Sequence, residues 1–279
     1  MKPEAREYLG KKTISGDEVL AVLMARFLED GDVLMVGFGD MVPVAAGQLA
    51  RKLHAPNLTL ILPCGAVNPE PGYLYQSPVD FRYLYHSEAW LDGEAIQDLS
   101  AKGKVDVSFI TGVEVDMFGN VNQYKAGMEW SGPSEGAADV VLAERAKRII
   151  LYLRNQTRSR LVERASHVSL VGHVDGRAGR AKQKIESQGP VALLTDMAIF
   201  DFDDECMLRL RSVHEGKDVG MVAERAGFML RIGQEVLRTE PPTSEELEVL
   251  RRDVDRTRML KGVSPGSDEG SFSGVMEPI

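Results

Sequence analysis

The residues best placed for chemistry follow an apolar run at Leu58–Leu62, which is closed by Pro63, Cys64 and Gly65. The run is too short for a helix and is typical of a buried strand. In open α/β sheets, ligands bind outside the carboxyl ends of the strands, so a reaction centre is expected at this turn. Cys64 is the only obvious nucleophile there, and its thiolate would need a pKa lowered by a cation or a helix N-terminus. A cysteine at a strand end can equally be a packed core residue.

Other ligand-binding patterns are weaker. Gly37-Phe38-Gly39 precedes a predicted helix, but the third glycine of GxGxxG and a Gly-Lys-Ser/Thr sequence are both missing. We expect these glycines to allow tight packing of strand and helix, although their N–H groups could still bind an anion. The five histidines never fall at HExxH spacing and the two cysteines form no CxxC pair. No metal site is therefore predicted.

The elements around the turn alternate between helices and strands. They are a helix that begins with a capping box at Ser15 and Glu18 and ends at Gly31, a strand at Val33–Val36, a helix from Pro43 to about Leu53, and the strand at Leu58–Leu62. Parallel strands need such helical crossovers between them. The pattern predicts an α/β fold with an open, mainly parallel sheet flanked by helices.

The later part of the chain extends this sheet. We predict a strand in the aromatic stretch Phe81–Tyr85, a hairpin at Thr111–Asn122, and an antiparallel pair at Val191–Asp196 and Ala198–Phe202. The basic run at 177–184 is predicted to be a solvated loop, with contact to ligand phosphates as the alternative.

The chain shows no break that would separate two large domains. A second capping box at Thr243 and Glu246 predicts a C-terminal helix that runs to about Arg258. We therefore expect one domain over residues 15–260, an N-terminal arm at 1–14 and a flexible tail at 261–279 that is rich in Gly, Ser and Pro.

Composition excludes several classes of protein. The formal net charge of -9 argues against a nucleic-acid-binding protein, which is usually basic. No run of about 18 apolar residues is present, so no membrane span is predicted. The first residues, MKPEAREYLGKK, lack the apolar segment of a secretory signal. Together with only two cysteines, these features predict a cytoplasmic protein with reduced thiols.

With these residues in place, the segment from Ser15 to Arg258 resembles the β-type subunit of family I CoA-transferases, and above all the glutaconate CoA-transferase branch. The resemblance runs in order along the chain: the helix, His-Ala-Pro-Asn-Leu turn and strand of Val42–Leu62, the D-x-x-G-N-x-N sequence of Asp116–Asn122, the helix and strand within Ala137–Val168, the closing strands within Val191–Asp203 and Ser212–His214, and the linker Glu240–Thr243.

This resemblance implies a CoA-transferase/NagB–RpiA-like fold and an enzyme that acts on acyl-CoA thioesters. In the family a glutamate attacks the thioester and becomes a glutamyl-CoA intermediate, because a carboxylate can leave as readily as it attacks. The resemblance also implies a hetero-oligomer in which an α-type partner subunit shares the active site. Coenzyme A thioester would be the substrate, and no further cofactor is implied.

The chain departs from the family pattern at two places. The turn that carries the family's glutamate is replaced by Pro63-Cys64-Gly65, which holds no carboxylate. The glycine-rich oxyanion loop aligns with 133–137, where Glu135 replaces a glycine while Gly136 and Ala137 remain. We expect acyl-CoA to bind at Pro63, Gly65, Gly136 and Ala137, where backbone donors could stabilise an oxyanion. Asn120 is a further candidate contact, although its side chain can instead bond within the turn.

Three explanations for the missing glutamate are open. The carboxylate has moved to Glu135, Glu70 or Glu88, each of which can also be a solvated surface acid. Alternatively, the partner supplies the carboxylate, as in the related ring-opening hydrolases of cyclic acyl-CoA esters. In the third, Cys64 is the nucleophile. A non-catalytic, scaffolding subunit is the rival of a different class.

Overall fold

The computed structural model describes residues 14–126, 129–130 and 137–260. The helices in this part of the chain are α1 (Gly16–Ala25), α2 (Val42–Leu53), α3 (Gly93–Ala101), α4 (Ala137–Arg145), α5 (Gly179–Lys182), α6 (Val219–Glu224) and α7 (Ser244–Val249), with a 3-10 helix at Phe81–His86 and a π-helical turn at Leu250–Val254. None of these helices is long and apolar enough to span a lipid bilayer.

The strands are β1 (Val33–Met35), β2 (Thr59–Ile61), β3 (Ala66–Val67), β4 (Ala89–Trp90), β5 (Val107–Ile110), β6 (Glu114–Asp116), β7 (Val121–Asn122), β8 (Lys125–Ala126), β9 (Glu129–Trp130), β10 (Arg148–Leu153), β11 (Leu161–Val162), β12 (Pro190–Thr195), β13 (Ala198–Phe202), β14 (Leu208–Val213) and β15 (Arg231–Arg238). Ten of them form one sheet in the order β15-β14-β13-β12-β10-β5-β1-β2-β3-β4. The five central strands, from β12 to β2, are parallel. The predicted α/β fold with an open, mainly parallel sheet is confirmed.

Side-chain alternation along the central strands divides the core between the two faces of the sheet. Leu34 and Leu60 belong to one buried cluster, which α1 and α2 cover. Met35 and Ile61, their neighbours in sequence, belong to the second cluster, together with Leu142 of α4. Because both faces are buried, these strands are continuous apolar runs in the sequence.

Local signals fixed several element boundaries. The capping boxes at Ser15 and at Thr243 are both present and begin α1 and α7. The predicted hairpin is confirmed as the antiparallel pair β6–β7, and β12–β13 is the predicted antiparallel pair.

Three local predictions were wrong. Phe81–Tyr85 is a 3-10 helix rather than a strand, because the Asp80 side chain accepts a hydrogen bond from the Arg82 N–H and starts a helical turn. The basic run contains the short helix α5, and although Arg177, Lys182 and Lys184 are exposed as predicted, Arg180 is buried, where its guanidinium donates to several backbone carbonyls, including those of Val171 and Gly172. The C-terminal helix α7 gives way to the π-helical turn before Arg258.

Candidate active site

The turn after β2 is held in a shape that only glycine allows. Gly65 has φ +95°, and a Cβ at this position would lie 2.1 Å from the carbonyl oxygen of Leu91. The Gly65 N–H donates to the carbonyl of Leu62, and its own carbonyl accepts from the Leu91 N–H, each at 2.9 Å. The Gly65 amide, predicted as an oxyanion donor, is therefore already used inside the turn.

Cys64 is half-buried in this turn and packs against the first core cluster. Burial raises the pKa of its thiol, and the negative charge of Asp80 acts in the same direction. Hydrogen bonds from backbone N–H groups, including that of Ala66, offset only part of this effect. No cation of the described residues contributes, so this part of the chain alone favours a protonated thiol over the nucleophilic thiolate.

Glu70 and Glu88 lie at the other end of β2. Arg51 donates from Nη1 to the carbonyl of Leu58, just before the strand begins. The same guanidinium contacts Glu88 at 3.1 Å and Glu70 at 3.6 Å. The run Leu58–Leu62 that ends at the turn is about 13 Å long. The structure therefore places both carboxylates at the amino end of the strand, away from Cys64.

Asn120 lies in the β6–β7 turn and is 2% exposed. Its amide nitrogen donates to the Asp116 carboxylate at 3.0 Å and to the carbonyl of Val174 at 2.8 Å. Its amide oxygen accepts from the N–H groups of Gly172 and Val174. This geometry uses the whole amide to fasten the turn to the 172–174 segment, so it leaves no group for a substrate.

The remaining predicted site residues divide between two regions. Pro63 is half-buried beside Cys64. Glu135 and Gly136 lie outside the described residues, and of Ala137 only the backbone, as the first residue of α4, is described.

A charged cluster at the carboxyl edge of the sheet was missed from the sequence. Arg154, just after β10, donates to both carboxylate oxygens of Asp17. Its Nη1 lies 3.6 Å from the carboxylate of Asp40, which follows β1. Burial raises the pKa of Asp40, and the charge of Arg154 offsets this in part. In the sequence, Arg154 directly follows a predicted strand, which could have marked it as a site residue. Its partners Asp17 and Asp40 lie in distant segments, so the cluster could not be recognised from sequence spacing.

A second missed carboxylate is Glu114, the first residue of β6, which is 8% exposed. Its Oε2 accepts from the Asn122 side-chain amide at 2.7 Å, and from the N–H and the hydroxyl of Ser166 at 2.9 and 2.7 Å. These three donors are neutral. The sequence pattern of this stretch predicted a hairpin, so Glu114 was not considered as a site residue, although it closely follows β5.

Two cavities of the described chain lie elsewhere. One of about 550 Å³ is lined by 215–218, Arg238, Thr239 and Pro241. The other, of about 660 Å³, lies at the amino ends of the strands and is lined by residues such as Asp32 and Arg148. Neither is lined by the Pro63–Gly65 turn.

Comparison with known proteins gives a consistent result. Residues 18–217 match the model of the coenzyme A transferase family. The chain is 30% identical over 262 residues to the β-type chain of 3-oxoadipate CoA-transferase from Pseudomonas knackmussii, which covers 91% of this chain and 98% of the relative. It is 25% identical over 253 residues to the β-type chain of glutaconate CoA-transferase from Acidaminococcus fermentans, covering 85% and 91% of the two chains.

Solved structures agree with this likeness. The decarboxylase AibA/AibB matches with a TM-score of 0.75 and 25% identity, over 89% of this chain and 98% of the other. Structures of four variants of that decarboxylase, each with one cysteine replaced, match as well. Glutaconate CoA-transferase from Acidaminococcus fermentans shares the fold with a TM-score of 0.80 at 22% identity, over 90% and 98% of the two chains. The chain therefore belongs to the coenzyme A transferase family of enzymes, as a β-type subunit.

Proposed function

We propose that this β-type subunit acts on acyl-CoA thioesters together with an α-type partner, in a site that the two subunits share at the Pro63–Gly65 turn. The observation that carries the proposal is the extent of the likeness, since the match covers 98% of the corresponding chain of a CoA-transferase. The named relatives act on 3-oxoadipate and glutaconate. The acyl group we propose is accordingly that of a dicarboxylic acid.

The geometry of the turn supports a shared site rather than a self-contained one. The Gly65 amide is used within the turn, and burial raises the pKa of the Cys64 thiol. Pro63 adds neither an N–H nor an ionisable group. The turn therefore offers a rigid wall for the substrate, while the oxyanion donors and the attacking group must come from other segments or from the partner.

The test is reconstitution with an α-type CoA-transferase subunit from the same genome. The two chains are co-expressed, purified through a tag on one of them, and incubated with a dicarboxylic acyl-CoA, with and without a second carboxylate as acceptor. Chromatography and mass spectrometry then separate a new acyl-CoA, which indicates transfer, from free CoA, which indicates hydrolysis. A complex that forms but neither binds CoA in calorimetry nor consumes the thioester would overturn the proposal and leave a scaffolding role.

A second candidate, decarboxylation of a carboxylated acyl-CoA, is favoured by Cys64. The decarboxylase AibA/AibB matches this chain, and its solved variants each replace one cysteine, so we propose the free thiol of Cys64 as the candidate for a role in that reaction here. A half-buried, protonated thiol could donate a proton to the carbanion that loss of CO₂ leaves. In this reaction the raised pKa of Cys64 is an advantage, because the thiol must keep its proton until that step.

Replacing Cys64 by Ser tests this candidate, with Cys206→Ser as the matched control. Cys206 is the other free thiol and lies in the turn between β13 and β14. Decarboxylation predicts release of CO₂ from a carboxylated acyl-CoA by the wild-type complex, and a loss of at least about 100-fold in Cys64→Ser alone. Equal rates in the two variants would exclude a chemical role for Cys64.

A further inference from the structure

Glu114 lies where the carboxyl edge of the sheet meets the segment that follows β10. The residues between β5 and Glu114 stay at this edge, because the Thr111 hydroxyl donates to the carbonyl of Tyr152 at 2.7 Å. Arg160 holds the same stretch by donating to the carbonyl of Gly112 at 3.1 Å. Glu114 is thus placed beside the ends of β5 and β10, on the side where open α/β sheets bind their ligands.

The two oxygens of this carboxylate differ in their surroundings. Oε2 accepts all three hydrogen bonds from Asn122 and Ser166. Oε1 has no hydrogen-bond partner in the described chain. Among the described side chains, only Arg51 Nε is a fully buried polar atom without a hydrogen bond, so Oε1 is not fully buried. Oε1 therefore reaches the surface, and Ser166, which donates to the other oxygen of this carboxylate, is itself exposed.

Three other carboxylates at this edge are differently occupied. Asp17 and Asp40 share the guanidinium of Arg154. Asp116 uses both oxygens for hydrogen bonds within its turn and to Ala165. Glu114 has no Lys or Arg partner among the described residues, so a reaction at Oε1 breaks no ion pair there.

We propose that Glu114 supplies the attacking carboxylate that the Pro63–Gly65 turn lacks. This inference rests on the proposed acyl-CoA function. Oε1 attacks the thioester carbonyl carbon, the C–S bond breaks and CoA departs as a thiolate, leaving an anhydride between the acyl group and Glu114. The thiolate then attacks the Glu114 carbonyl carbon, which releases the acyl group as a free carboxylate and leaves a glutamyl-CoA thioester. A carboxylate acceptor reverses these steps, so no oxidant or metal is needed.

The three donors on Oε2 suit this role. They fix the orientation of the carboxylate before substrate arrives, and a pre-positioned nucleophile avoids much of the entropic cost of the encounter. They also stabilise the negative charge each time the carboxylate is released.

Trapping in the reconstituted complex tests the assignment. The wild-type complex is incubated with a dicarboxylic acyl-CoA, treated with borohydride to reduce any glutamyl-CoA thioester to an alcohol, digested, and mapped by mass spectrometry. We expect the modified residue to be Glu114. A modified residue elsewhere, on this chain or on the partner, or turnover with no modified residue, would overturn the assignment while leaving the proposed function intact. A complex that neither binds CoA nor consumes the thioester would refute both.

The matched variants are Glu114→Gln and Glu163→Gln. A glutamine at 114 keeps an oxygen acceptor for Asn122 and Ser166 but cannot form the thioester, and Glu163 is an exposed carboxylate nearby. We expect kcat to fall by about 1,000-fold or more in Glu114→Gln, with complex formation and melting temperature retained, and to stay near wild type in Glu163→Gln. Wild-type turnover in Glu114→Gln would contradict the assignment.

Discussion

Replacing Gly65 by alanine should cost far more stability than the loss of a glycine usually does. A non-glycine residue in the left-handed region costs about 1–2 kcal/mol. At Gly65 the new Cβ would also meet the Leu91 carbonyl oxygen at 2.1 Å, and this oxygen belongs to the backbone. Bringing the contact to 3.0 Å requires a shift of about 0.9 Å, which overpacks the turn and weakens the Leu91–Gly65 hydrogen bond. We expect a total loss of about 3–5 kcal/mol.

Gly31→Ala is the control for this prediction. Gly31 also has a positive φ, +87°, but a Cβ there meets nothing within 4 Å. It should therefore show only the conformational cost of about 1–2 kcal/mol. Urea unfolding, followed by far-ultraviolet circular dichroism and by tryptophan fluorescence, measures both variants. Equal losses in the two variants would refute the claim that the Leu91 contact fixes the turn.

Two predictions concern pH. Although burial pushes the pKa of Glu18 upward, the hydrogen bonds from Arg251 and the Ser15 N–H and the charges of Arg251 and Arg258 together outweigh it and hold this pKa below its ordinary value of 4.5. The ion pair therefore stabilises the fold above about pH 4.5 and is lost as the pH falls through the lowered pKa. Glu18→Gln should lower the free energy of unfolding by about 2–3 kcal/mol at neutral pH, and urea titrations should show this difference shrinking in acid. Burial lowers the pKa of His214 below 6.5, so the unfolded chain binds a proton before the folded one does. Stability should therefore decline as the pH falls below 6.5. We expect His214→Gln to be less stable than the wild type at neutral pH, but its melting temperature should change less with pH between 6.5 and the lower pKa of the folded state. An unchanged profile in His214→Gln would contradict the assignment of this pH dependence to His214.

The fold could be predicted because its signals are local. The capping box at Ser15 and the apolar run at Leu58–Leu62 depend on residues that are neighbours in sequence, and both lie where they were expected. The prediction for Phe81–Tyr85 failed because its alternation of aromatic and other residues is compatible with a strand and with this 3-10 helix. The Asp80 cap decides between them, and its effect is visible only in the backbone geometry.

The candidate site was harder to predict because its carboxylates are positioned by long-range pairing. Glu70 follows the strand-end turn in sequence, but the antiparallel return of β3 carries the chain back to the amino end of β2. Glu114, far from the turn in sequence, is placed at the carboxyl edge by contacts with Asn122 and Ser166. Sequence distance from the turn was therefore a poor guide to which carboxylates lie at the carboxyl edge of the sheet.

The Pro63–Gly65 turn carries no charged side chain, and the conformation of Gly65 makes it rigid. A carboxylate in this position would need donors to stabilise its charge, yet the amide of Gly65 donates to Leu62, and proline at 63 has no N–H. Cys64 can be neutral there at little cost, and burial favours that state by raising the pKa of the thiol. Because the backbone N–H groups of the turn offset only part of the effect of burial, we expect the charge that attacks a thioester to be held by separate donors, and Asn122 and Ser166 provide a set of these at Glu114.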